Sequence, residues 1–77
     1  MTRADPPTRP VKHSLTLRGH RTSVSLESEF WQAFRDIAAL RNTTINALAI
    51  EVDESRKTDI GLASAIRVFV LNHYRPS

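Results

Sequence analysis

Twice in succession between residues 14 and 26, apolar side chains take every second position: Ser14-Leu15-Thr16-Leu17-Arg18, then Arg21-Thr22-Ser23-Val24-Ser25-Leu26. A period of two is the signature of a half-buried β-strand, apolar on one face and polar on the other. The residues joining the stretches, Arg18-Gly19-His20-Arg21, include a glycine able to take the positive φ of a tight turn. Little else in the chain reads as strand, and a lone two-stranded hairpin is marginal in water. The strands therefore need other elements, or another chain, to cover their apolar face.

With 77 residues the chain is one small domain. Cores of that size rarely supply more than about 3–5 kcal/mol without disulfides, a metal or a partner subunit. The absence of cysteine excludes disulfides and thiolate metal sites and leaves oligomerisation as the remaining route to stability. No long apolar run follows the basic N-terminus, so the expectation is a soluble, cytoplasmic protein with neither signal peptide nor membrane span. The charge is unevenly placed. Residues 1–21 hold Arg3, Arg9, Lys12, Arg18 and Arg21 against Asp5 alone, whereas the other 56 hold six basic and seven acidic side chains. A positive field confined to the arm and strands favours a polyanionic partner, nucleic acid or an acidic membrane surface, over a mere solubility tail.

Residues 1–12 hold three of the four prolines and no apolar period, and are expected to be a flexible basic arm ahead of a domain at 13–75. No internal repeat or low-complexity segment is evident. The spacing of Phe30, Phe34, Ile37 and Ala38, with Trp31 beside them, predicts a helix from Ser28 to about Leu40. Glu27 and Glu29 stand at its positive end and Arg41 at its negative end. In Asn42-Thr43-Thr44, Thr44 is the predicted N-cap of a second helix, whose stripe Ile45, Leu48, Ala49 and Val52 ends near Glu54 or Ser55. After a charged loop, Arg56-Lys57-Thr58-Asp59, a third and more apolar helix is expected from Ile60–Leu62 to His73 or Tyr74.

Catalysis finds little support. His13, His20 and His73 have no metal-ligand spacing, the serines form no nucleophile elbow, and Gly19 and Gly61 are too scattered for a phosphate loop. The chain is expected to be no enzyme and to need no metal or cofactor. Trp31, Phe30, Phe34 and Phe69 recur at helical spacing and read as core rather than as base-stacking platforms. Nucleic-acid binding fits better. In the second strand Thr22, Val24 and Leu26 share one face, while Arg21, Ser23 and Ser25 share the other. Arginine matches guanine O6 and N7 bidentately, serine accepts several bases, and a two-stranded ribbon fits the major groove of B-DNA.

The order of strand, three-turn helix, short turn and Thr-capped helix in "RTSVSLESEFWQAFRDIAALRNTTINALAIEV" resembles the ribbon-helix-helix family, the Arc and MetJ type of repressor. The further helix "GLASAIRVFVLNHYR" is similar to a three-helix bacterial subfamily and extends the resemblance over most of residues 12–75. The resemblance implies a mainly α fold with a short β-ribbon. It also implies an intertwined homodimer, with one strand from each subunit in an intermolecular antiparallel sheet that enters the major groove. Arg21, Ser23 and Ser25 then fall on the base-contacting positions. Thr44 matches the phosphate position at the start of the second helix, with Thr43 and Asn46 near enough to assist; a helix N-terminus is also an anion site on physical grounds. Lys12 and Arg18, with Arg9 and Arg3 of the arm, add phosphate contacts. Val24, Leu26, Phe30, Phe34, Ile37, Leu48, Val52, Ile66 and Phe69 form the implied dimer core.

The family needs one strand per subunit, so Leu15 and Leu17 are surplus to it. The first strand either folds back as a hairpin, extends the arm, or takes over the ribbon, making Ser14, Thr16 and Arg18 the readers. The expected function is a sequence-specific, double-stranded DNA-binding regulator, a nucleoid-associated repressor acting as a homodimer or in higher order on tandem sites. The alternatives are an antitoxin-like subunit that also binds a protein partner and a non-specific nucleoid-coating protein.

Overall fold

A computed structural model describes residues 9–75, so most of the N-terminal arm, with Arg3, lies outside the described residues. The elements run β1 (Val11–Leu17), β2 (His20–Leu26), α1 (Ser28–Leu40), α2 (Ile45–Ser55) and α3 (Leu62–Tyr74). Strand β1 thus takes in Val11 and Lys12 from the stretch expected to be arm. The first strand folds back as a hairpin: β1 and β2 pair antiparallel, with Leu17 opposite His20, Ser14 opposite Ser23 and Val11 opposite Leu26. The loop is Arg18-Gly19 alone, shorter than the sequence suggested, so His20 and Arg21 belong to β2. Both loop residues have positive φ, 52° at Arg18 and 81° at Gly19. That is the two-residue turn whose twist matches a right-handed hairpin. Arginine rarely adopts this region, and here its guanidinium is anchored on α2, 3.4 Å from Asp53 Oδ2 and 2.7 Å from Glu54 Oε2.

Both strands come from one chain. The described sheet has two strands, with β1 paired to β2. The reason lies in the inner face of β1, where Leu15 and Leu17 are buried beside Val24 and Leu26 of β2. These four pack with Phe34, Ile37 and Ala38 of α1, Leu48, Ala49 and Val52 of α2, and Ile66 and Val70 of α3. Of the residues assigned to a dimer core, Val24, Leu26, Phe34, Ile37, Leu48, Val52 and Ile66 are already buried within the single chain, and Phe30 and Phe69 pack against the same cluster half-buried.

Helix α1 closes on a left-handed Asn42 (φ 55°). The N–H groups of Thr43 and Asn42 donate back to the carbonyls of Ala38 and Ala39, the paired bonds of a Schellman cap. One residue later Thr44 Oγ1 accepts the Ala47 N–H at 3.0 Å. It satisfies one of the donors that a helix start leaves without an intrahelical partner. Cap and N-cap therefore sit back to back, turning the chain sharply between α1 and α2. Arg56 fastens the next loop, with Nε 2.7 Å from Asp53 Oδ1 and a guanidinium N–H donating to the Ile60 carbonyl.

Candidate nucleic-acid interface

With Leu15, Leu17, Val24 and Leu26 turned inward, the alternation of both strands turns six side chains outward. These are Lys12, Ser14 and Thr16 on β1 and Arg21, Ser23 and Ser25 on β2, and all six are exposed. The register sets Lys12 opposite Ser25, Ser14 opposite Ser23 and Thr16 opposite Arg21. Each outward side chain is a hydrogen-bonding group, two are cationic, and neither strand contains a carboxylate. Ser and Thr hydroxyls both donate and accept, whereas Arg and Lys only donate.

The ribbon is held from behind and from its edges, which leaves this face open. Behind it, His13 stacks on Trp31 with ring centroids 4.1 Å apart and planes within 5°. Trp31 leans on Phe34 at 6.5 Å, and Phe34 meets Phe69 edge-on at 5.9 Å. The aromatic residues thus belong to the packing behind the sheet, as their helical spacing implied. At the outer edge of β1, the Thr16 N–H donates to Asn46 Oδ1 at 3.0 Å. At the outer edge of β2, Arg67 Nη2 lies 3.5 Å from the Ser25 carbonyl. The same guanidinium grips Glu27 with Nε at 3.0 Å and Nη2 at 3.2 Å, a forked arrangement that fixes direction as well as distance. It also lies over the Phe30 ring, 5.9 Å from its centroid. The Arg67 hydrogen bond holds the Glu27 carboxyl below its ordinary range. Asp53 is likewise lowered, by Arg56 first and then by Arg18.

The structure brings Arg21, Ser23, Ser25 and Lys12 onto one face. Arg18 is not on it; the turn carries this residue to α2, where Glu54 and Asp53 raise its pKa further and occupy its guanidinium. Thr43, Thr44 and Asn46 sit together at the start of α2, joined to the ribbon through the Asn46–Thr16 bond. Ser14 and Thr16, expected as readers only if the first strand took over the ribbon, share this exposed face with Ser23 and Arg21, which lie opposite them. The signal was present: once Leu15 and Leu17 are inward, their neighbours are outward. The Arg67–Glu27 fork, across 40 residues of chain, had no local signal.

Residues 10–74 match the family model of the ribbon-helix-helix domain. The chain belongs to the ribbon-helix-helix family. Members of this family are DNA-binding transcription regulators, which suits a cationic, hydroxyl-rich ribbon set on a helical body. No curated protein and no solved structure matches the chain. Within this ribbon-helix-helix domain, no helix among the described residues is long and apolar enough to cross a membrane.

Proposed function

We propose that this ribbon-helix-helix protein is a sequence-specific double-stranded DNA-binding regulator that inserts its β-ribbon into the major groove and represses by occlusion. The observation that carries the reading is the outward face of the hairpin: six exposed hydrogen-bonding side chains, two of them cations, with no carboxylate in either strand. Arg21, Ser23 and Ser25 contact base edges, Arg21 by the bidentate pairing that guanidinium makes with guanine. Thr43, Thr44 and Asn46 bring the positive end of α2 to a backbone phosphate, beside the ribbon edge that Asn46 already holds. Arg18 contributes through its grip on α2 more than through a phosphate. The protein acts as a homodimer, as ribbon-helix-helix proteins typically do on DNA. Exposed Val68 and Leu71 on α3 leave apolar surface for a second copy.

Binding-site selection followed by titration of Arg21→Ala tests the reading. The variant is expected to lose about 1–3 kcal/mol on the selected duplex and to relax preference at one base position. If the folded variant binds selected and random duplexes as the parent does, the assigned ribbon is wrong. Equal parental affinity for unrelated duplexes, with a steep salt dependence, would instead support non-specific coating.

A further inference from the structure

Two side chains hold the outer edges of the hairpin, and they hold opposite ends of it. Near the turn, Asn46 of α2 accepts the Thr16 N–H on β1. At the other end no turn joins the strands; Lys12 lies opposite Ser25 there, with Val11 opposite Leu26 beyond. Arg67 of α3 meets this open end. Its Nη2 lies 3.5 Å from the Ser25 carbonyl, while Nε and Nη2 fork the Glu27 carboxylate at 3.0 and 3.2 Å. The guanidinium also covers the Phe30 ring, 5.9 Å from its centroid. One group thus ties the end of β2 and the first turn of α1 to α3.

Glu27 stands at the N-cap of α1 but makes no side-chain capping bond, whereas Thr44 at the same position of α2 caps Ala47. Its carboxylate is committed instead to a helix 40 residues further on. Stability alone is a weak reason for that arrangement, because ion pairs still partly in water contribute little. Orientation is a stronger one. A forked guanidinium–carboxylate pair fixes direction as well as distance, and recognition groups work only when supporting side chains hold them within about 0.5 Å of their productive place. Ser25 is the reader most sensitive to such an error. Its hydroxyl is carried directly on Cβ, so a displaced strand end displaces it equally. Arg21 has a long side chain rich in rotamers that absorbs a small backbone shift.

We propose that Arg67, from the third helix, is a positioning residue for base recognition: it fixes the Ser25 end of the ribbon and so sets sequence preference there without contacting DNA. This rests on the DNA-binding reading above and deepens it, giving α3 a part in specificity. All the groups involved lie in one chain, so each subunit of the homodimer carries its own clamp. The fork also neutralises Glu27, a carboxylate two residues beyond Ser25 that would otherwise repel phosphate.

The test is binding-site selection with the full chain, followed by titration of the selected duplex and its single-base variants. The proteins compared are the parent, Arg67→Gln, Arg67→Lys, Glu27→Gln, Ser25→Ala, Arg21→Ala, and Ser25→Ala combined with Arg67→Gln. Melting fixes a temperature at which every variant is folded, and the two alanine variants assign a base position to each reader. Arg67→Gln, Arg67→Lys and Glu27→Gln should each lower discrimination at the Ser25 position about fivefold, the lower end of what one base pair is worth. The Arg21 position should stay as in the parent. Arg67→Lys keeps the charge and loses the fork. Glu27→Gln separates the roles by sign: losing a negative charge tightens binding without loss of preference if electrostatics alone matter, but relaxes preference if the fork positions Ser25. The combined variant should discriminate at that position no worse than Ser25→Ala alone, as residues acting through one another do. The proposal is overturned if Arg67→Gln weakens all duplexes alike with a smaller salt slope, because Arg67 then touches phosphate itself. It is also overturned if melting falls while both base preferences hold, if Ser25→Ala leaves preference unchanged, or if the combined variant loses more than Ser25→Ala. In each of those outcomes DNA reading through Arg21 stands. If neither Ser25→Ala nor Arg21→Ala alters DNA binding, the reading of the ribbon as the DNA-contacting face fails, and the proposal with it.

Discussion

Replacing Leu15 with Ala puts the intramolecular hairpin to a direct test. Leu15 is 2% exposed, and it is the central inward residue of β1, opposite Thr22. The substitution removes three carbon groups from the core. At about 0.8 kcal/mol each, the transfer cost is about 2.4 kcal/mol. The cavity left between the hairpin and the helices adds to this, which places the total within the roughly 2–5 kcal/mol seen for buried leucines. A domain of this length has a total stability of about 4–12 kcal/mol, so the variant loses a large fraction of it. Equilibrium urea unfolding followed by far-ultraviolet circular dichroism, and by fluorescence of the single tryptophan, Trp31, measures the difference. Trp31 stacks on His13 of the same strand and so reports whether β1 stays docked. The midpoint should fall with the slope unchanged, and melting should drop by at least 10 °C, at about 4–8 °C per kcal/mol. Leu40→Ala, at a residue 71% exposed, is the control, with a change inside about 0.5 kcal/mol. A Leu15→Ala protein as stable as that control would refute the hairpin and return β1 to the arm.

Three further outcomes follow from the contacts that orient the ribbon. Arg18→Asn should melt higher than the parent, because Asn-Gly favours positive φ at both turn positions and the exposed pairs it gives up are weak. Arg18→Val should melt lower, since a β-branched residue resists that conformation; calorimetry on both checks the order. Thr44→Ala should cost about 1 kcal/mol of stability through loss of the cap on Ala47. If α2 also meets a phosphate, the variant should weaken DNA binding evenly across sequences. Acid titration of stability addresses Glu27 and Asp53, whose folded pKa values lie below their ordinary 4.5 and 3.8. A depressed carboxyl pKa stabilises the fold above the ordinary value and loses that contribution as pH falls through the folded one. Denaturation midpoints should therefore hold steady above about pH 5 and decline below 4.5. Arg67→Gln should flatten the Glu27 share of that decline; an unchanged curve would mean the fork contributes nothing.

The helices were legible because their instructions are local. Helix α1 spans Ser28–Leu40, as the recurrence of Phe30, Phe34 and Ile37 predicted, since a period of 3.6 is carried by residues three and four apart. Thr44 was recognisable as an N-cap because a hydroxyl before an apolar stripe has one favoured use. Which strand partners β2 was not legible. The resemblance pointed to a second chain, and β1 was left with three possible fates. The deciding feature was the turn, where Arg18, a residue with no intrinsic preference for positive φ, takes one beside Gly19. That conformation is held by Asp53 and Glu54, 35 and 36 residues further on. Leu15 and Leu17 looked surplus until they were seen buried in the core to which all three helices contribute.

By itself the sequence determined the elements, their inward faces and the cationic, hydroxyl-rich character of the ribbon, because periodicity and capping act between neighbours in the chain. Only the tertiary structure decided that the ribbon closes within one chain, that Arg18 faces α2 rather than solvent, and that Ser14 stands opposite Ser23. Register depends on loop closure and on burial against distant helices, and a shift of one residue would turn every outward side chain inward.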